Sequence, residues 1–440
     1  MKLWPVLWPY MKLAKYLGEI SPSCGTITTW SHPRKESVLN RYLLRLQIVK
    51  GNGIMKWKFI LIGTLCLATV LPLMGSTSAA MAQNAGATYY VAPDGSNDNP
   101  GTIEAPWESI QYAADNASPG DLIFVRGGVY NEIIEFSRSG TSSAPIVFRN
   151  YPDEQPLIVS PDWSGFVFVG VEWIVVDGFA LTDMTNDGIF ISDAHNIEVN
   201  NCEVYGSGNI GIHIVTYEGP ATNNTVRNCS VYDNGGEGIY LDVKADSPAV
   251  VEDNIVENNL VFNNAYEGIQ NTHESGAEPK PSGTLIRNNY IYNNGPDWAT
   301  LDLGGDNLRV IGNVIYDNNA PVGGIYYSGG SGSIIQDNII QNNQHSWAVG
   351  ASIVLDNISS SVVIDNQIVD DCGNGCDGII VQSPGLNLDI RNNTISTDPI
   401  SFEVPDGDIE PTVTPQAEEA VIVPDDKPLV DPDTGILIAD

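Results

Sequence analysis

The chain has 440 residues, of which 42% are hydrophobic, and its 54 acidic side chains outnumber the 20 basic ones to give a formal net charge of −34. The apolar content is sufficient for a large folded core. The negative charge disfavours nucleic acid and anionic membranes as partners, because both would be repelled.

The first 82 residues differ in charge and pattern from the rest. Residues 55–82 start at Met55 and pass through two lysines into the apolar run 59–74 and then small residues, which predicts a secretory signal peptide cleaved before Gln83. A membrane anchor is the alternative, although the run is shorter than the ~20 residues that a spanning helix needs. We interpret residues 1–54 as a leader from a start codon assigned too far upstream. The mature chain, predicted to be secreted, monomeric and without a membrane span, then carries 10 basic and 52 acidic side chains, a net charge of −42.

Residues 83–120 are predicted to form an N-terminal cap. A short alternating strand near residue 90 is followed by loop residues 93–101. Trp107, Ile110, Ala113 and Ala114 then recur at helical spacing, which predicts a short amphipathic helix. Such a helix can cover the apolar end of a repeat protein.

Residues 121–403 contain a repeat whose most regular feature is an Asn-rich triplet followed by alternating apolar residues. The third residue of each triplet falls at 202, 229, 259, 289, 313, 338, 366 and 393, so the period lies between 24 and 30 residues. Short strands at this period, with no helical pattern between them, indicate a solenoid. The sequence therefore predicts an all-β, right-handed parallel β-helix, in which stacked asparagines bond from coil to coil.

Residues 83–440 contain four cysteines, in two pairs, and end in an acidic tail. Cys202 and Cys229 occupy the same position of adjacent repeats, which predicts stacked buried thiols, although a disulfide is also possible at that spacing. Cys372 and Cys376 could close a small loop in an oxidising compartment. Residues 404–440 are rich in acid and proline and have no period, as is typical of an extended tail.

Several N-terminal segments resemble those of a known family of secreted β-helix proteins, the family-nine pectate lyases and their relatives. The resemblance rests on residues 89–96 (YYVAPDGS), 119–121 (PGD), 125–130 (VRGGVY) and 143–146 (SAPI). It implies a secreted right-handed β-helix that acts on an extracellular polysaccharide, with calcium held by aspartates and a lysine as base. The Asp-Asp-Gly-Trp-Asp segment of the family is not matched, and the nearest fragments are residues 186–189, 236–239 and 376–379.

The Gly-Ile pairs that recur after the triplets bring acidic residues together. Aligning these pairs predicts that Asp187, Asn209, Glu237, Glu267 and Asp297 stack on successive coils. Two carboxylates about 5 Å apart, such as Glu237 and Glu267, could bind Ca²⁺ or act as the acid and nucleophile of a retaining glycosidase. They could also be solvated turn residues.

Lys244 is one of three lysines in residues 83–440, and Asp242 precedes it by two positions. A uronate lyase needs a base for the C5 proton and a cation for the carboxylate, so we predict Lys244, Glu237 and Glu267 as catalytic residues. A surface ion pair of Lys244 is the alternative. The predicted calcium ligands are Asp187, Glu237, Asp242 and Glu267. The predicted substrate-binding residues are His213, Tyr240, Gln270, His273 and Trp298.

Three functions agree with these patterns. The leading hypothesis is a Ca²⁺-assisted polyuronate lyase that acts by β-elimination. The alternatives are a non-catalytic extracellular protein that binds glycans and a retaining glycoside hydrolase. The long turns that interrupt the repeat between residues 217 and 282 locate the expected site, because insertions on one face of a solenoid often build its binding surface.

Overall fold

The computed structural model describes residues 86–244, 247–274, 279–295, 297–343, 351–369, 377–396 and 400. All of them belong to the compact unit Thr77–Asp440. The predicted leader, signal peptide and acidic tail, together with Cys372 and Cys376, lie outside the described residues. In the described part of the chain, no helix is long and apolar enough to cross a membrane.

The chain passes through three parallel sheets in turn, and most coils add one strand to each sheet. The strands of sheet 1 are β1 (Thr88–Val91), β2 (Leu122–Val125), β5 (Ile146–Asn150), β8 (Glu172–Asp177), β11 (His195–Asn200), β14 (Ala221–Thr222), β15 (Thr225–Arg227), β18 (Val251–Glu252), β19 (Ile255–Glu257), β22 (Leu285–Arg287), β25 (Arg309–Ile311), β28 (Ile334–Gln336), β31 (Val362–Ile364) and β34 (Asp389–Arg391).

Sheets 2 and 3 follow sheet 1 within every coil. The strands of sheet 2 are β3 (Gly128–Asn131), β6 (Pro156–Val159), β9 (Ala180–Thr182), β12 (Glu203–Tyr205), β16 (Ser230–Tyr232), β20 (Leu260–Phe262), β23 (Tyr290–Tyr292), β26 (Val314–Tyr316), β29 (Ile339–Gln341), β32 (Gln367–Val369) and β35 (Thr394–Ser396). The strands of sheet 3 are β4 (Ile134–Phe136), β7 (Phe166–Val169), β10 (Ile189–Ser192), β13 (Ile212–Thr216), β17 (Ile239–Val243), β21 (Ile269–His273), β24 (Ala299–Gly304), β27 (Gly323–Ser328), β30 (Ala351–Ile358) and β33 (Asp377–Pro384). The predicted all-β parallel β-helix is confirmed.

Aliphatic side chains stack in columns inside the coils. Ile212, Ile239 and Ile269 are in register on β13, β17 and β21, and all three are fully buried. Because adjacent strands lie about 4.8 Å apart, each such side chain packs directly on its equivalents in the coils before and after it. Burial of a side chain of this size stabilises the fold by about 1.5–3 kcal/mol.

The predicted N-terminal helix is present as α1 (Ile110–Asn116). Ser109 caps it by accepting a hydrogen bond from the amide of Tyr112, and Ile110, Ala113 and Ala114 are buried. The helix packs against β4, the first strand of sheet 3, and therefore covers an edge that would otherwise expose unpaired backbone groups.

The predicted asparagine column lies at the corner between sheets 1 and 2. Each amide Nδ2 donates to the Oδ1 of the asparagine one coil later, at 2.8–3.0 Å. The column runs through Asn259, Asn289, Asn313, Asn338, Asn366 and Asn393. The residue before each member is left-handed, for example Asn288 with φ 55°, and asparagine tolerates this conformation better than most residues.

A second asparagine column, which was not predicted, lies at the corner between sheets 2 and 3. It follows the first column at a distance of five residues and contains Asn234, Asn264, Asn294, Asn318 and Asn343. Its amides also bond from coil to coil, at 2.8–3.0 Å. Two corners of the coils between Asn259 and Asn343 are thus fixed by buried amides.

Cys202 and Cys229 precede the first asparagine column on adjacent coils and are buried free thiols, as predicted. Each sulfur lies near a carbonyl two residues earlier, at 3.3 Å for Cys202 and 3.1 Å for Cys229. Burial, together with the Cys202 thiol, raises the pKa of Cys229 well above its usual value. Both residues therefore contribute packing in place of the amide.

We expect Asn289→Ala to lower the free energy of unfolding by about 3 kcal/mol, because it removes an amide that donates to Val256 O and Asn313 Oδ1 and leaves buried acceptors without a donor. Urea unfolding followed by circular dichroism measures the effect. Asn288→Gly is the matched control and should change stability little, since glycine accepts the left-handed conformation of that position. Equal unfolding midpoints for Asn289→Ala and the unmodified protein would contradict a stabilising role of the column.

Candidate functional site

The outer face of sheet 3 presents one column of side chains that are far apart in sequence and adjacent in space. Register places one side chain from each of six successive strands in this column. Its members are Phe190, His213, Tyr240, Gln270, Asp302 and Tyr326. Neighbours in such a column are about 4.8 Å apart, so five coils span the length of several sugar units.

A cleft of about 360 Å³ lies over the later part of this column. The lining residues are Tyr240, Gln270, Thr272, His273, Trp298, Asp302, Gly304, Tyr326 and Ser328. Four of the five predicted substrate-binding residues therefore line one cleft, namely Tyr240, Gln270, His273 and Trp298. Trp298 meets Tyr326 edge to face, with ring centroids 5.6 Å apart.

The fifth predicted residue, His213, is buried beside the cleft and does not line it. Only 6% of its surface is exposed, and its Nδ1 lies 3.0 Å from Asp187 Oδ2. Its ring stacks on Tyr240 with a centroid distance of 5.4 Å and an interplanar angle of 9°. His213 thus holds the Tyr240 ring in place from the preceding coil.

The predicted stack of acidic residues is only partly correct. Glu237 and Glu267 occupy equivalent positions on adjacent coils, as predicted. On the coil before them this position is Ile210 and not Asn209. On the coil after them it is Ala299 and not Asp297. The alignment counted one residue too many before Gly211 and two too many before Leu301. Asn209 still donates to Asp187 Oδ1 at 2.8 Å, so Asp187 is satisfied by Asn209 and His213.

Glu237 and Glu267 are neighbours on adjacent coils, joined by the hydrogen bond from Gly238 N to Glu267 O at 2.9 Å. Burial raises the pKa of Glu267 to about 8, and the negative charges of Asp302, Glu237 and Asp297 add to this effect. Burial also raises the pKa of Glu237, although the charge of His213 opposes the shift. Neither glutamate is among the residues that line the cleft.

Asp302 is the carboxyl group that does line the cleft. Burial raises its pKa to about 6, while a hydrogen bond from Gln270 Nε2 to Asp302 Oδ2 at 3.1 Å opposes the shift. Asp302 was not among the predicted site residues. The signal that could have found it is register, because Asp302 lies opposite Gln270 on the next strand.

Lys244 forms ion pairs with Asp242, which is fully buried, and with Glu274 Oε1 at 3.1 Å. Burial lowers the pKa of Lys244, but the charges and hydrogen bonds of the two carboxylates outweigh burial and leave the pKa raised. Lys244 is therefore an ammonium at neutral pH and not a free amine. This is the ion pair that the sequence left open as an alternative.

The four predicted calcium ligands do not form a cage. Asp187 is bonded to His213 and Asp242 is paired with Lys244, and of the two glutamates Glu237 lies on the coil of Asp242 and Glu267 on the next coil. Among the residues that the structure describes, no three His, Cys, Asp or Glu side chains form a group that could hold a metal ion. The described residues therefore do not fit a calcium cage.

Two family models match the described solenoid. Residues 89–246 match the "Pel9A-like, right handed beta helix region", and residues 257–395 match the "Right handed beta helix region". In sequence, the chain is 47% identical over 81 residues to pectate lyase PEL9 of Emericella nidulans, a match that covers 18% of this chain and 20% of that protein. The chain spans about a fifth to a third of the length of the curated relatives it matches.

Solved structures share the fold at low sequence identity. The alginate lyase from Paenibacillus sp. str. FPU-7 superposes with a TM-score of 0.50 and 17% identity over 70% of this chain and 95% of that one. A glycoside hydrolase superposes with a TM-score of 0.52 and 11% identity over 71% and 97%. The same coil thus occurs in proteins named for different chemistries, and these two likenesses concern the fold alone. Together with the matched family models, the described coils make this protein a right-handed parallel β-helix that is similar to the pectate lyases.

Proposed function

We propose that this protein is a secreted carbohydrate-active enzyme that binds a polyuronate along the outer face of sheet 3 and cleaves it by β-elimination. The observation that carries the proposal is Asp302, a carboxyl group with a pKa of about 6 that lines the cleft together with His273 and a set of aromatic rings. A raised carboxyl pKa in a substrate cleft is the usual property of a proton donor. The similarity to a pectate lyase in sequence supports the choice of substrate class.

The aromatic rings of the cleft supply the surface on which sugar rings can pack. Tyr240, Trp298 and Tyr326 line the cleft over four coils, which suits an extended chain of sugars. Burial raises the pKa of Tyr240, so its hydroxyl remains protonated and serves as a hydrogen-bond group rather than a base. That hydroxyl lies 3.3 Å from Thr272 Oγ1, which also lines the cleft.

The reaction needs one base and one acid. His273 takes the proton from C5 of the uronate, since histidine is the side chain most often used as a general base. The electrons of that bond form the C4–C5 double bond as the C4–O bond breaks. Asp302 gives its proton to the departing oxygen. Lys244, predicted as a catalytic residue, can act here only through its positive charge, because its carboxylate partners keep it protonated.

The retaining hydrolase would instead need a carboxylate that reaches the sugar. Glu237 and Glu267, the predicted pair, have the required adjacency, yet both have raised pKa values and neither lines the cleft. With a pKa of about 8, Glu267 is protonated at neutral pH, and a protonated carboxyl group is a poor nucleophile. The geometry of the cleft therefore favours elimination over hydrolysis.

Incubation with polygalacturonate and with alginate should release products that absorb as unsaturated uronates. The same assay with and without a calcium chelator tests the predicted role of Ca²⁺. Reducing ends that appear without this absorbance would contradict elimination and indicate a hydrolase. Polysaccharide binding without either product would indicate the non-catalytic glycan-binding protein.

We expect Asp302→Asn to lower kcat about 100-fold or more, because asparagine cannot donate the proton. In the unmodified enzyme kcat should fall about tenfold per pH unit above about pH 6, since Asp302 must be protonated and loses its proton as the pH rises through its pKa. The variant should lack this decline. A pH profile that is the same for both proteins would show that Asp302 is not the acid.

Glu267→Gln distinguishes the two chemistries, and we expect it to keep activity within about twofold because Glu267 does not line the cleft. Above pH 8 the variant should also have a higher free energy of unfolding than the unmodified protein. The folded-state pKa of Glu267 is raised from 4.5 to about 8, so its contribution to stability is present at low pH and is lost as the pH rises through about 8. Glu108→Gln, at an exposed acid, is the control for the loss of one negative charge. Loss of activity in Glu267→Gln with an intact fold would favour the hydrolase.

A further inference from the structure

Lys280 places a second ammonium group at the edge of the cleft. It precedes β22 and reaches over two coils, so that its Nζ donates to the carbonyl oxygen of Gly329 at 2.6 Å. Gly329 follows Ser328, which lines the cleft. The ammonium therefore lies at the β27 end of the cleft, whereas Lys244 lies at the β17 end.

The two lysines differ in the charge that surrounds them. Lys244 is neutralised by Asp242 and Glu274. Lys280 forms no ion pair with any carboxylate among the described residues, and its recorded partner is a neutral carbonyl. An ammonium has three N–H donors, so two remain for a ligand after the bond to Gly329.

Glycine keeps the space beside Lys280 open. A Cβ at Gly304 would lie 3.5 Å from His273 Nδ1, and a Cβ at Gly329 would lie 3.7 Å from Lys280 Nζ. The absence of side chains at both positions leaves the edge of the cleft clear between the ammonium and the imidazole. A sugar held over Gly304 could thus meet both groups.

We propose that Lys280 binds the carboxylate of an acidic sugar in the cleft and selects charged over neutral polysaccharides. This role rests on the proposed function, because elimination requires that the charge of the uronate carboxylate be offset next to the C5 proton. The Lys280 ammonium lies at the same edge of the cleft as the proposed base, has no ion pair among the described residues, and supplies that charge. Burial raises the pKa of Asp302 to about 6 and that of Glu267 to about 8, so their negative charges oppose this ammonium only above those pH values.

The test compares two polymers that differ only in charge, polygalacturonate and its fully methyl-esterified form. We expect Lys280→Gln to weaken binding of polygalacturonate about tenfold, measured by isothermal titration calorimetry, and to leave binding of the ester unchanged. Lys280→Arg should retain most of the affinity, because it keeps the charge. Arg309→Gln, which removes an exposed cation from sheet 1, should affect neither polymer and controls for net charge.

Each other outcome overturns the inference. Unchanged affinity of Lys280→Gln for polygalacturonate would exclude a carboxylate contact, and an equal loss for both polymers would indicate a merely structural role. An equal loss in Arg309→Gln would indicate general electrostatics. If the unmodified protein binds neither polymer, the proposed function and the inference are both wrong. If it binds polygalacturonate and Lys280→Gln binds it with the same affinity, only the inference is wrong.

Discussion

The buried amide columns are the constraint on which the rest of the structure depends. Asn259 to Asn289 spans 30 residues and Asn289 to Asn313 spans 24, yet the two side-chain bonds are 3.0 and 2.9 Å long. Because each amide must meet the next one directly above it, additional residues in a coil have to leave the stack as loops. A buried amide that misses its partner costs about 1–3 kcal/mol, which is a strong penalty against slippage of a coil.

The candidate site forms where those additional residues leave the stack. The 30-residue coils carry their extra length after β17 and β21, beside the outer face of sheet 3. Lys244 and Lys280 both belong to these segments, so the irregular part of the repeat brings cations to an otherwise acidic surface. The regular part supplies the opposite property, a fixed spacing that lines up Tyr240, Gln270 and Asp302.

Burial changes the charge of the cleft relative to the composition of the chain. The acidic balance of residues 83–440 would by itself repel a polyuronate. Asp302 and Glu267 are desolvated, however, and desolvation raises the pKa of each and favours the neutral form. Below about pH 6 the cleft therefore presents a neutral Asp302 together with the nearby Lys280 ammonium, so a strongly acidic protein can still receive an anionic polymer.

The sequence by itself determined the coil, because its period, the Asn289 column and the helix over Ile110 depend on local pattern and on repetition along the chain. It also identified most of the cleft, since Tyr240, Gln270 and Trp298 alternate outward within or beside strands. Only the tertiary structure decided which carboxyl groups matter: the exact register brought Asp302 into the cleft and left Glu267 out of its lining. The physical reason is that a shift of one residue turns a side chain to the other face of a strand, and burial, which sets the pKa, belongs to the stacked coils rather than to any one of them.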